Sequence, residues 1–201
     1  YKTNTYVVSN GPRAFIVDPG MHTRERLTQL AEDKGLEYEA VVLTHGHIDH
    51  TRDASSLELP VYVHPEDAFM LVDGSGVSPE SQQLFDAASM PPVKERRDLV
   101  GGETLSVAGF EFELLHAPGH SPGCVMLVAE DIALTGDVLF RGSIGRTDLP
   151  HSDPAAMQRS LRGPVWGLDD GLAILPGHGP TSTMRRERAT NPFLIAAGDV
   201  L

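Results

Sequence analysis

The sequence predicts a layered α/β protein, and two observations carry that prediction. Short, wholly apolar runs bounded by turn residues recur along the chain, with helical spacings between some of them. Clusters of ionisable residues follow four of those runs, after positions 43, 115, 135 and 175. Strands covered by helices need layers to bury both faces, and ligand-type residues at four strand ends can converge on one sheet edge.

From the N-terminus, Tyr6–Val8 and Ala14–Val17 read as strands joined by the Asn10-Gly11 turn, and Asp18-Pro19-Gly20 ends the second. Leu27, Leu30 and Ala31 recur at helical spacing, and Gly35 supplies a stop, which predicts a helix over 23–34. Ala40–Leu43 and Pro60–Val63 are short apolar strands of the kind buried on both faces. Residues 64–92 read as short helices and a Pro-Pro loop. Alternation predicts strands at Leu105–Val107 and Phe110–Leu114 around a Gly109 turn, followed by Cys124–Val128 and Ile132–Thr135. Asp153-Pro154 has the N-cap and first-turn chemistry of a helix ending near Gly163. Ala173–Leu175 is a last strand, and 182–197 reads as helical on either side of Pro192.

The chain has 201 residues, 40% hydrophobic and 22% charged, which surface-to-volume scaling fits to one domain over 1–201. Sixteen Lys and Arg against 28 Asp and Glu give a formal charge of −12, a field that repels nucleic acid. The basic runs around Lys94, Arg96 and Arg97 and around Arg185, Arg186 and Arg188 are interleaved with acid and read as solvated faces. No apolar run is long enough to span a bilayer, so no membrane partner is expected. Tyr1–Thr5 lacks the layout of a secretory signal, and a lone cysteine, Cys124, forms no internal disulfide; both fit a cytoplasmic location.

The chemistry concentrates in His45-x-His47-x-Asp49-His50, four ligand-type residues within six positions. So many polar groups cannot sit in a core without partners, and Gly46 disfavours a helix, so a tight loop is expected. Imidazole with carboxylate suits zinc, and also iron or manganese, better than calcium or magnesium. His120, Asp137 and His178 each follow a glycine, and each comes after an apolar strand. Five of the nine histidines fall within this set.

The ordered motifs resemble the metallo-β-lactamase superfamily across nearly the whole chain. Gly136-Asp137-x-Leu139-Phe140, Gly145–Leu149, Pro176–Pro180 and Asn191–Leu194 are further similar to stand-alone glyoxalase II-like proteins. The resemblance implies an αββα four-layer sandwich in which His45, His47 and His120 bind one metal and Asp49, His50 and His178 a second, with Asp137 bridging. It implies two divalent ions, zinc first and iron or manganese as alternatives. The implied reaction is attack of a metal-bridged hydroxide on a small thioester of the S-lactoylglutathione type, with Asp49 acting as a proton acceptor as well as a ligand. The chain ends 23 residues beyond His178, short of the C-terminal helical domain with which full glyoxalase II meets glutathione. Glutamate stands at the place of His47 in the flavodiiron branch, which disfavours that branch.

A one-iron persulfide dioxygenase, a lactonase or other ester or amide hydrolase, and a non-catalytic metal-binding protein are the rival readings. Oligomeric state is left open. Asp18 is expected either to orient a ligating imidazole or to form a turn. Arg146 is expected either to pair with Asp148 or to meet an anionic substrate. His64 and His116 read as structural, and Cys124 as a small buried residue.

Overall fold

The structure is a computed structural model and describes residues 2–198. A hairpin of β1 (Tyr6–Asn10) and β2 (Arg13–Val17) opens the chain, followed by α1 (Arg24–Lys34), β3 (Glu37–Val42) and the one-turn α2 (Ile48–Thr51). Next come β4 (Val61–Val63), α3 (Met70–Asp73), α4 (Pro79–Leu84) and β5 (Arg96–Asp98). The second half begins with β6 (Thr104–Val107), β7 (Phe110–His116), β8 (Val125–Val128) and β9 (Ile132–Gly136). The small hairpin β10 (Leu139–Phe140) and β11 (Ser143–Ile144) precedes α5 (Pro154–Ser160) and β12 (Ala173–Pro176). The last elements are β13 (Ser182–Thr183), α6 (Met184–Thr190) and α7 (Pro192–Gly198).

Two sheets result, ordered β1-β2-β3-β4-β5 and β13-β12-β9-β8-β7-β6. The alternation along β2 and β3 explains the layering. Phe15, Val17, Ala40 and Val42 point to the second sheet and pack with Phe112, Leu114, Val125, Leu127 and Leu134. Their neighbours Ile16, Val41 and Leu43 point the other way, onto Leu27 of α1 and Leu71 of α3. The outer face of the second sheet packs Met126, Ala133 and Ile174 against Met157, Leu161, Met184 and Leu194 of the C-terminal helices. The layers therefore run helix, sheet, sheet, helix, the expected αββα sandwich. Phe15 and Phe112 meet edge to face between the sheets, with ring centroids 5.6 Å apart.

Several local expectations are corrected. Arg96–Asp98 forms an exposed edge strand where only a charged run was read; charges on an edge discourage further pairing. Ser182–Thr183 pairs with β12 before the helix begins. The helix from Pro154 gives way at Leu161 to a wider turn through Val165, with Pro164 inside it. The Arg185–Arg188 run is only partly solvated. Glu187 in it is fully buried, and Arg188 lies over the Trp166 ring at 4.9 Å.

Strand direction builds the functional edge. β2, β3 and β4 are mutually parallel, so Asp18, His45 and His64 leave at the same end of the first sheet. In the second, β9 and β12 are parallel, and two antiparallel steps through β8 give β7 the same direction. The chain therefore leaves β7, β9 and β12 at one end, carrying His120, Asp137 and His178. A hydrogen bond from Val125 N–H to the Thr44 carbonyl, 2.9 Å, joins the sheets there.

Candidate metal centre

The His45–His50 segment is a loop and a helical turn, not a loop throughout. His45 and His47 sit on the stretch after β3, and His47 is the N-cap of α2, which carries Asp49 and His50. Ile48 is fully buried and packs on Phe85 and Ala87, which anchors the turn from below. The other three residues arrive from the second sheet. Gly177 lets the β12 loop close on them: a Cβ there would overlap Asp137 Oδ1 and lie 2.7 Å from His50 Cε1.

All seven expected residues converge, in two groups. His45, His47 and His120 form one, and Asp49, His50 and His178 the other. His47 Nδ1 lies 2.9 Å from His120 Nε2. In the second group, His178 Nε2 is 3.2 Å from both His50 Nε2 and Asp49 Oδ2. Asp137 touches both groups, with Oδ2 3.3 Å from His120 Nε2 and 3.5 Å from His178 Nε2, and Oδ1 3.4 Å from His50 Nε2.

The hydrogen bonds around the rim fix which ring nitrogens face inward. His120 Nδ1–H donates to the Arg146 carbonyl (2.8 Å), and His178 Nδ1–H to the Lys2 carbonyl (3.0 Å). His50 Nδ1–H donates to Asp18 Oδ2 (3.0 Å). The Thr44 hydroxyl also donates to Asp18 Oδ2, at 2.6 Å, and so accepts from His45 Nδ1–H at 3.1 Å. Four imidazoles thus aim Nε2 lone pairs at the centre, while His47 offers Nδ1. In the metal-free fold a proton on one nitrogen of each pair makes the 2.9 Å and 3.2 Å contacts hydrogen bonds, and a cation bound there would take that proton's place.

A fit test is available from elementary geometry. Tetrahedral ligands about 2.0–2.1 Å from zinc stand about 3.4 Å from one another. The contacts above span 2.9–3.5 Å. His45 Nε2 and Asp137 Oδ1 are buried with no hydrogen-bond partner, which a cation would satisfy. The donor set and its spacing fit divalent metal ions.

The electrostatics agree. Burial, with the neighbouring imidazoles, holds His45 well below its ordinary range, and burial pushes His47 down to about 3. Burial opposes charge on His50, yet Asp137 and Asp49 outweigh it and raise His50 well above its ordinary value. His178 is raised against burial by its bond to Asp49. Burial alone would raise Asp49 and Asp137; His50 and the other imidazoles hold both below the usual carboxylate range.

A cleft of about 560 Å³ opens on the centre. His47, Asp49, His120, Asp137 and His178 form its floor, and Val77, Phe140, Ile144 and Leu149 supply apolar wall. Arg146 lines it too but is paired with Asp148 through Nε (2.6 Å) and Nη2 (2.8 Å). Asp18 plays the orienting part rather than that of a simple turn, since its oxygens take His50 and both the N–H and hydroxyl of Thr44. His64 and His116 stack on each other, with ring centroids 4.2 Å apart, and each is tied to backbone. Cys124 is buried, and burial pushes its thiol far up, so it is no nucleophile.

Sequence reasoning missed Thr44, Thr3 and the carbonyls of Lys2 and Arg146. Thr3 Oγ1 donates to Asp49 Oδ2 at 3.2 Å. Thr44 adjoins the motif and was within reach of inspection. Backbone carbonyls leave no trace in residue type.

The Metallo-beta-lactamase superfamily model matches residues 1–178, which end on the last residue of the centre. The chain belongs to the metallo-β-lactamase superfamily. Over 189 residues it is 38% identical to the hydroxyacylglutathione hydrolase GloC of Haemophilus influenzae, covering 90% of this chain and 87% of that one. Among solved structures, the BLEG-1 B3 metallo-β-lactamase is similar at a TM-score of 0.82 and 33% identity, covering 96% of this chain and 94% of its own. TTHA1623 in a di-iron-bound form is similar at 0.81 and 38% identity, covering 96% and 95%. This superfamily member is a metal-dependent hydrolase. Among the described residues, no helix is long and apolar enough to cross a membrane.

Proposed function

We propose that the protein is a dinuclear hydrolase of a small thioester. The observation that carries this reading is Asp137, whose carboxylate lies within 3.5 Å of imidazoles from both ligand groups. His45, His47 and His120 would hold one ion and Asp49, His50 and His178 the other, with Asp137 placed to serve both groups. Divalent ions held there would supply Lewis acidity and make water acidic enough to act as a nucleophile near neutral pH. The net step forms an acyl C–O bond and breaks the C–S bond, giving a carboxylic acid and a thiol. No protein nucleophile is needed, in keeping with the inert Cys124.

The residues divide the remaining work. Asp49 Oδ2, at the cleft floor, would take the proton released from water and pass it to the departing sulfur, and the Thr3 hydroxyl keeps that oxygen in place. Val77, Phe140, Ile144 and Leu149 exclude bulk water and pack on a compact acyl group. The 38% identity to GloC supports a thioester of the hydroxyacylglutathione type. Zinc suits the histidine-rich set, and the di-iron form of TTHA1623 supports iron as an alternative.

His178→Ala tests the reading. It removes one ligand from the second group only, so metal content should fall from two ions to one while thioester cleavage is lost. A parent with one iron, and persulfide-dependent oxygen uptake that survives His178→Ala, would instead identify a dioxygenase.

A further inference from the structure

Two buried carboxylates stand beneath the centre, and only Asp18 touches an imidazole. The other, Asp67, is fully buried on the turn after β4. Its Oδ2 accepts from Gly46 N–H at 2.8 Å and from the Ser121 hydroxyl at 2.5 Å, and its Oδ1 accepts from Gly123 N–H at 2.6 Å. Gly46 lies between His45 and His47, and Ser121 follows His120. One carboxylate therefore ties together the two loops that carry the three-histidine group. The glycines permit the close approach: a Cβ on Gly46 would lie 2.8 Å from the Asp67 carbonyl oxygen, and one on Gly123 2.7 Å from Asp67 Cγ.

We propose that Asp67 is a positioning residue that sets the separation of the His45–His47 and His120 loops, and so the affinity of the three-histidine group for its ion. Asp18 serves His50 directly and His45 through the Thr44 hydroxyl, whereas Asp67 reaches only the loops of the three-histidine group. The inference rests on the assignment of His45, His47 and His120 to one ion.

Asp67→Asn is the informative change because it keeps size and shape. Both carboxylate oxygens accept from backbone N–H groups, so the amide must set its NH2 against either Gly46 or Gly123. Against Gly46 the NH2 releases the His45–His47 loop; against Gly123 it leaves the His120 loop held by its Ser121 bond alone. Loss of an orienting partner outside the ligand set lowers metal affinity by roughly 10–100-fold.

The test compares two backgrounds, each titrated with cobalt against a competing chelator. In His178→Ala, where the remaining ion sits on the three histidines, Asp67→Asn should weaken binding roughly 10–100-fold and shift the cobalt d–d spectrum. In His47→Ala, which leaves Asp49, His50 and His178, the same change should alter affinity by less than about 3-fold. If Asp67→Asn does not fold, Ser121→Ala removes a single donor and should weaken the three-histidine ion alone by roughly 2–10-fold. Equal weakening in both backgrounds would show a general structural role and overturn the proposal, as would no weakening in either. A parent chain that binds one ion would refute the dinuclear reading instead, and leaves the His178→Ala comparison intact.

Discussion

Asp18→Asn isolates the contribution of orientation to metal binding. Asp18 sits at a positive φ of 51°, a conformation that asparagine shares readily, so the backbone need not move. The carboxylate accepts from Thr44 N–H at Oδ1, and from the Thr44 hydroxyl and His50 Nδ1–H at Oδ2. An amide leaves two arrangements. With its oxygen at the Oδ2 place, NH2 faces Thr44 N–H and strands a buried donor, at a cost of about 1–3 kcal/mol. With NH2 at the Oδ2 place, His50 must accept through Nδ1; its proton moves to Nε2 and the lone pair meant for the ion is lost. The first arrangement appears as a lower melting temperature of metal-free protein, the second as weaker metal. Loss of such a partner corresponds to roughly 10–100-fold in affinity, about 1.4–2.7 kcal/mol. Chelator competition and scanning calorimetry on parent and variant read both quantities. A variant that binds both ions with parental affinity and keeps its metal-free stability would refute the reasoning.

Gly177→Ala would force a methyl group into Asp137 Oδ1 and His50 Cε1, so one of the two groups must open. Metal content should drop with little change in far-ultraviolet circular dichroism, and full occupancy would contradict the packing argument. Asp137→Ala should weaken both ions together, since its carboxylate approaches imidazoles of both groups; elemental analysis that finds one ion retained tightly would show that it serves a single site. The pH dependence follows from His50 and His178, both raised in the metal-free fold, chiefly by Asp137 and Asp49 working against burial. Their stabilisation of the metal-free fold is complete below the ordinary histidine value and fades as pH rises through the folded values. Metal must displace the same protons, so the rise in melting temperature on adding metal should be larger at about pH 8.5 than at about pH 6. A gain independent of pH would contradict this sign.

Much of the architecture was legible because burial on both faces writes itself as unbroken apolar runs. Phe15–Val17 and Ala40–Val42 supply inward and outward packing at once, and so read as interior strands. Arg96–Asp98 was illegible for the opposite reason: an exposed edge strand has no apolar side chain to bury, and its pairing rests on backbone bonds and the Arg97 contact with Tyr62. The seven residues of the centre were legible because ligand chemistry demands particular side chains. Their support was only half so. Asp18 stood out beside a strand end, whereas Asp67 lies among Pro65, Glu66 and Ala68 in a stretch with no periodicity, and its three donors come from 21 to 56 residues away. The carbonyls of Lys2 and Arg146 that orient His178 and His120 depend on tertiary placement, which no residue type encodes. α2 was missed because Gly46 argued against a helix, yet the helix begins two residues later, on buried Ile48.

Anomalous diffraction from crystals loaded with zinc or iron tests the central claim most directly, because it locates ions without reference to activity. The account predicts two peaks per chain, about 3.5–4 Å apart. One should be bounded by His45, His47 and His120, the other by Asp49, His50 and His178, with the Asp137 carboxylate between them. A single fully occupied peak, or two peaks of which Asp137 touches only one, would contradict it.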